Sequence, residues 1–260
     1  MKETDALDDY ILQHIDEEGE YLKALYRATH VKLLRPRMAS GHLQGRMLKM
    51  FVQMIRPKQV LEIGTYSGYS ALCLAEGLEE GAMLHTFEIN DEQEDFTRPW
   101  LENSLYADKI KFYIGDALKI VPDMDVTFDL AFVDGNKRFY VEYYEMILKK
   151  MNSGGYIIAD NTLWDGHVLE PEPHHTDTQT IGIKKFNDLV AALDKHSGQF
   201  LDGQWCGQSL RLFLIIFWGL GPVALERIKT KLNENGVWFG MDVIRINDRW
   251  YRRKQELTTD

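Results

Sequence analysis

Two apolar runs in this chain end in aspartate. Leu130-Ala131-Phe132-Val133 leads into Asp134, and Tyr156-Ile157-Ile158-Ala159 leads into Asp160 with Asn161 directly behind. A third run, Val60-Leu61-Glu62-Ile63, breaks at Gly64. In an open parallel α/β sheet, ligands bind where the strands end at their carboxyl edge. Two carboxylates and one amide oxygen delivered to that edge suit a hard, six-coordinate cation with positions left open for substrate and water. Magnesium fits best and manganese also fits, whereas no cysteine or histidine cluster suggests zinc. A single acid at a strand end more often caps the next helix; two on neighbouring strands, one followed by Asn161, point to a metal. Lys137, three residues past Asp134, could act as a general base if desolvated beside a cation. His167, His174 and His175 fall in a polar stretch and read as surface residues.

Upstream, Glu62-Ile63-Gly64-Thr65-Tyr66-Ser67-Gly68-Tyr69-Ser70 reads as a strand, a glycine turn and a helix start. Glycine lets the backbone approach a ligand closely and adopt positive φ. The dinucleotide fingerprint is absent, because Tyr66 occupies the second glycine position. The next strand, Leu84-His85-Thr86-Phe87-Glu88, ends in an acid that can accept from both ribose hydroxyls. Together these features favour an adenosine ligand without a pyrophosphate.

The elements that must position these groups alternate. Apolar strands are expected at 59–63, 83–88, 110–114, 128–133 and 155–159, with helices at 68–79, 91–104, 115–121 and 139–150. That rhythm predicts an α/β fold: a doubly wound, mostly parallel sheet with helices on both faces. Ser153-Gly154-Gly155 reads as the turn into the last of these strands. Ahead of the sheet, 4–27 reads as one amphipathic helix with Leu7, Ile11, Ile15 and Leu22 on one side and Gly19 weakening its middle. A second helix, 41–55, carries Leu43, Met47, Met50, Phe51 and Met54 at helical spacing, its methionines read as core filler. A polar loop covers 165–180, and a helix at about 180–195 buries Ile183, Phe186, Leu189, Val190 and Leu193.

Of the 260 residues, 45% are hydrophobic, ample for one core. The net charge of -10 argues against non-specific nucleic-acid binding, which relies on basic surface. Cys73 and Cys206 lie far apart and match no metal spacing, and Cys73 reads as a buried thiol. The acidic start, Met1-Lys2-Glu3-Thr4-Asp5, lacks an apolar signal region. The longest greasy tract, Leu212 to Trp218, is far short of the roughly 20 residues a spanning helix needs. A cytoplasmic protein without membrane partners is expected.

As a set, the turn from Glu62 to Ser70, Phe132-Val133-Asp134-Gly135-Asn136-Lys137 and Asp160-Asn161-Thr162-Leu163-Trp164 resemble the cation-dependent class I O-methyltransferases, the group of catechol and caffeoyl-CoA O-methyltransferases. The similarity runs from about Arg35 to Leu193, and the N-terminal helices also fit. The resemblance implies that Glu62, Gly64, Thr65, Ser70, Glu88, Asp116, Ala117 and Asp134 hold S-adenosylmethionine, with the Met38-Ala39-Ser40 loop closing over its methionine part. It implies Asp134, Asp160 and Asn161 as metal ligands, Lys137 with Asp134 as the catalytic pair, and Trp164-Asp165 as a wall of the acceptor site. A homodimer and a small hydroxylated acceptor, catechol or hydroxycinnamoyl in type, are also implied.

One alternative is methylation of 5-hydroxyuridine in tRNA, for which Lys32, Arg35, Arg37, Arg46 and Lys49 would contact phosphates. Another is a catalytically inactive S-adenosylmethionine-binding module. Asn136 stands where the group usually has an acid, and residues 202–260 do not match it. The expected organisation is a methyltransferase domain at 1–201, with 1–56 as a helical cap, followed by an atypical segment at 202–260. That segment could complete the sheet through an antiparallel hairpin, 241–254, or be a foreign tail.

Overall fold

The computed structural model describes residues 3–195 and 211–214. In chain order the elements are α1 (Glu3–His14), α2 (Gly19–Lys32), α3 (Gly41–Ile55), β1 (Gln59–Ile63), α4 (Tyr69–Gly77), β2 (Met83–Glu88) and α5 (Glu94–Glu102). There follow β3 (Ile110–Ile114), α6 (Ala117–Ile120), β4 (Phe128–Val133), α7 (Tyr140–Leu148), β5 (Met151–Ala159), α8 (Thr178–Lys195) and β6 (Arg211–Leu214). Among the described residues the strands form one sheet in the order β3-β2-β1-β4-β5-β6, and every pairing is parallel. This is the doubly wound, Rossmann-like strand order. The order reverses between β1 and β4, which opens a crevice at their carboxyl ends.

Side chains alternate across each strand, so one strand feeds two cores. Val60, Leu84, Leu130, Phe132 and Ile158 pack with Leu25 of α2, Leu48 and Val52 of α3 and Leu72 and Leu74 of α4. Leu61, Ile63, Phe87, Ala131, Val133 and Ile157 pack on the opposite face with Tyr140 and Ile147 of α7 and Ile183 and Phe186 of α8. Cys73 is fully buried in the first core, and burial pushes its thiol up to about 12.

Three expectations about local structure are corrected. The helix read over 4–27 is two, α1 and α2, separated at residues 15–18. Gly19 has φ +76, a left-handed conformation natural to glycine. The break is also pinned, because His42 Nε2 lies 2.6 Å from Asp16 O and the Tyr69 hydroxyl donates to the Glu18 carboxylate.

In α3 the buried face is Gln44, Gly45, Arg46, Leu48, Phe51 and Val52, while Met50 and Met54 are 42% and 67% exposed. They are not core filler. Close approach to α4 decides the face: a Cβ on Gly45 would lie 2.6 Å from Cys73 Sγ, and one on Gly77 would lie 2.8 Å from the Lys49 carbonyl oxygen.

Ser153-Gly154-Gly155 is not a turn before the strand but lies inside β5. The register absorbs it, because β4 advances from Phe128 to Leu130 while β5 advances from Met151 to Tyr156. At the far edge, Arg211–Leu214 pairs with Tyr156–Ala159 in parallel, not antiparallel, register. The hairpin expected over 241–254 lies outside the described residues, as does the side chain of Leu193.

Candidate active site

The turn after β1 is built on backbone proximity. Gly64, at φ +104, donates to the Phe87 carbonyl at 3.0 Å, and Thr65 N–H reaches the same oxygen at 3.2 Å. A Cβ on Gly64 would sit 2.4 Å from the Asp134 carbonyl oxygen, so only glycine fits between the ends of β1 and β4. Glu62 behind it is fully buried and accepts from the Thr86 hydroxyl at 2.6 Å. Burial pushes its carboxyl up to about 8, against the opposing pull of the Ser70 and Thr86 hydroxyls. Glu62 Oε1 and Ser67 Oγ are buried without a hydrogen-bond partner among the described residues. Such atoms fit a polar ligand that would complete them.

Glu88, 8% exposed at the end of β2, accepts Tyr66 N–H at 2.8 Å on Oε2 and Asn90 N–H at 2.9 Å on Oε1. Each oxygen keeps a lone pair for a ribose hydroxyl. Tyr66 itself sits at φ +45, held also by the Thr97 hydroxyl, which donates to its carbonyl at 2.5 Å. Asp116 caps α6 by accepting Leu118 N–H at 3.0 Å, and Ala117 beside it is buried. In the Met38-Ala39-Ser40 segment Met38 is 53% exposed while Ser40 is buried at the head of α3.

Asp134 and Asp160 do converge. Lys137 Nζ lies 2.5 Å from Asp134 Oδ1, with the lysine side chain buried. Asp160 is 4% exposed; burial, then the neighbouring Asp134 charge, raises its carboxyl to about 7. Its Oδ1 accepts Asn161 N–H at 2.6 Å. Tyr140, buried between the strand ends, offers its hydroxyl to the carbonyls of Val133 and Asp160, each at 3.0 Å, and so fixes their spacing. Asn161, Trp164 and Asp165 all have positive φ, at 55, 45 and 52. Such strain in non-glycine residues clusters at functional sites. Trp164 is half-buried against the second core and Asp165 is exposed.

The donors are all oxygen, which suits magnesium or manganese. Among the described residues no group of three or more His, Cys, Asp or Glu is placed to hold a metal; the candidate set is two carboxylates completed by an amide.

Gln44 was not visible as a site residue from sequence. Its Nε2 donates to Asp160 Oδ2 at 2.7 Å, across 116 positions of sequence. The single available signal was an amide at helical spacing from the apolar Leu48 and Phe51. Asn136 caps the turn after β4, accepting Arg138 N–H at 3.2 Å and Gln179 Nε2 at 2.9 Å. Of the basic residues considered for phosphate contact, Arg46 and Lys49 are engaged elsewhere. Both pair with Glu76, at 2.6 and 2.9 Å, and Arg46 is 6% exposed.

The family model described as O-methyltransferase matches residues 13–197. Caffeoyl-CoA O-methyltransferase 1 of Zea mays is 34% identical over 75% of this chain and 77% of its own length. The Pinus taeda caffeoyl-CoA O-methyltransferase is 35% identical over the same shares. Among solved structures, the O-methyltransferase TomG of Streptomyces achromogenes in complex with SAM is similar with a TM-score of 0.68 and 29% identity, covering 74% of this chain and 88% of that one. A Bacillus cereus O-methyltransferase in complex with SAH gives 0.67 and 29%, covering 72% and 86%. With the crevice at the sheet's order reversal and a sequence match over most of its length, the chain belongs to the O-methyltransferase family and is an S-adenosylmethionine-dependent O-methyltransferase.

Proposed function

We propose that the protein methylates one hydroxyl of a pair of adjacent oxygens on a small aromatic acceptor, catechol or hydroxycinnamoyl in type, with the help of magnesium or manganese. The observation that carries this reading is the convergence of Asp134, Lys137 and Asp160 beside the Gly64 turn. Bound S-adenosylmethionine supplies the electrophilic methyl, and a divalent cation would favour the deprotonated form of an acceptor oxygen.

This chain's own residues do the rest. Asp134, Asp160 and the Asn161 amide oxygen hold the cation. Glu88 accepts the ribose hydroxyls of the cofactor, and Glu62, Gly64, Thr65, Ser70, Asp116 and Ala117 line its pocket, with Met38 and Ser40 over the methionine end. Lys137 Nζ takes the acceptor proton as a neutral amine, which requires it first to give up its own proton and its ion pair with Asp134. Trp164 and Asp165 bound the acceptor. Holding acceptor and methyl donor in line turns a bimolecular encounter into an effectively unimolecular step, a large contribution to the rate.

Methyl transfer to catechol and to caffeoyl-CoA, before and after chelation, tests the reading. Activity should vanish with chelator and return with added magnesium or manganese. Asp160→Ala should abolish turnover while S-adenosylmethionine still binds. Full activity in chelator would make the acids structural and the cation reading wrong.

A further inference from the structure

Gln44 lies in the first turn of α3 and is 3% exposed. Burying an amide in a helix seam is costly unless it is bonded, and its bond is to Asp160 Oδ2, at 2.7 Å. The other carboxylate oxygen, Oδ1, accepts the Asn161 backbone N–H at 2.6 Å. One donor comes from α3 and the other from the chain just past β5, so the two together fix the plane of the carboxylate. Each oxygen retains a further lone pair. The chemistry of the donor also matters. A lysine or arginine here would satisfy Asp160 equally well but would cancel the charge that attracts a cation. An amide orients the carboxylate and leaves its charge intact. Asp134 differs, being paired with the ammonium of Lys137.

We propose that Gln44 is a positioning residue for cation binding: it holds the Asp160 carboxylate in its ligating orientation and ties the docking of α3 to the metal half of the site. This inference rests on the reading of Asp134, Asp160 and Asn161 as cation ligands.

Manganese titration followed by electron paramagnetic resonance on the full-length protein tests it, using wild type, Gln44→Met and Asp160→Ala. Calorimetry with S-adenosylmethionine and thermal unfolding are run alongside. Methionine keeps the length of the side chain and removes the amide. Wild type should bind manganese and Asp160→Ala should lose it. Gln44→Met should bind it about 10–100-fold more weakly, the usual loss when a partner that orients a ligand is removed. The resonance line shape of the bound ion should change, and affinity for S-adenosylmethionine should stay as in wild type. A merely structural role would lower the unfolding temperature and leave manganese affinity and line shape unaltered, which would overturn the proposal. Should Gln44→Met not fold, Gln44→Asn, one methylene too short to reach Asp160, is expected to show the same weakening; wild-type affinity in it would equally overturn the proposal. A wild-type protein that binds no manganese would instead remove the cation reading, and this inference with it.

Discussion

A carboxyl group shut away from water keeps its proton, and Glu62 is one, raised to about 8 by burial in β1. The unfolded chain releases that proton near the ordinary value of 4.5. The folded state therefore binds more protons across the interval, and the contribution is full below about 4.5 and lost as pH rises through about 8. Thermal unfolding of the ligand-free protein should show stability declining over that window, and Glu62→Gln should flatten the decline. A slope unchanged in the variant would assign it to other groups. Glu88 acts as a hydrogen-bond acceptor through both of its oxygens. Glu88→Ala removes an acceptor whose hydrogen bonds are worth roughly 1.5–3 kcal/mol each, so calorimetry should find S-adenosylmethionine affinity at least about tenfold weaker. Unchanged affinity would take Glu88 out of the site. At this scale the sequence was readable wherever a residue's role follows from its neighbours in the chain. Asp134, Asp160 and Glu88 each close an apolar strand, and strand ends are where such sheets bind ligands. Gln44 was unreadable because its role is a contact across 116 positions, with no local pattern to mark it.

Elements meet at glycines here, and two of those meetings carry the site. Gly64 separates the end of β1 from the Asp134 carbonyl; a methyl group there would need the 2.4 Å gap to open, at a φ of +104. Gly64→Ala should cost on the order of 1–3 kcal/mol from conformation alone, with the clash added. It should also weaken cofactor binding, since the strand ends move apart. Denaturant unfolding together with calorimetry checks both, and wild-type values in each would remove the close approach as a constraint. Gly45 sets the rotation of α3 about its own axis. Periodicity alone pointed to the face with Met50 and Met54, because those residues are apolar and correctly spaced; the helix turned instead to the side where its backbone could approach α4. The carboxyl ends of the strands were read closely because five separate runs of apolar residues end at turns or acids. The break between α1 and α2 was missed because tertiary bonds to Asp16 and Glu18 impose it.

On the scale of the molecule, the family match ends at residue 197, yet Arg211–Leu214 lies beyond it and forms the outer strand beside β5. Deleting 202–260 would uncover the β5 edge from Tyr156 to Ala159, and open edges of apolar strands promote association. The truncated protein should be poorly soluble or unfold with low cooperativity. A soluble, active fragment after protease cleavage near residue 200 would show the domain to be complete without β6. The exposed Met50 and Met54 leave α3 with an apolar face, and for the homodimer that the family resemblance implies, light scattering should give twice the chain mass. The sheet order also bears on synthesis. The strand made first, β1, ends in the middle, flanked by β2 and β4. While the ribosome delivers residues 64–127, β2 can dock on one side of β1, but the other side has no partner until β4 emerges. A nascent chain stalled in that interval presents an unpaired apolar strand to its surroundings, the kind of species that chaperones hold and that aggregates without them.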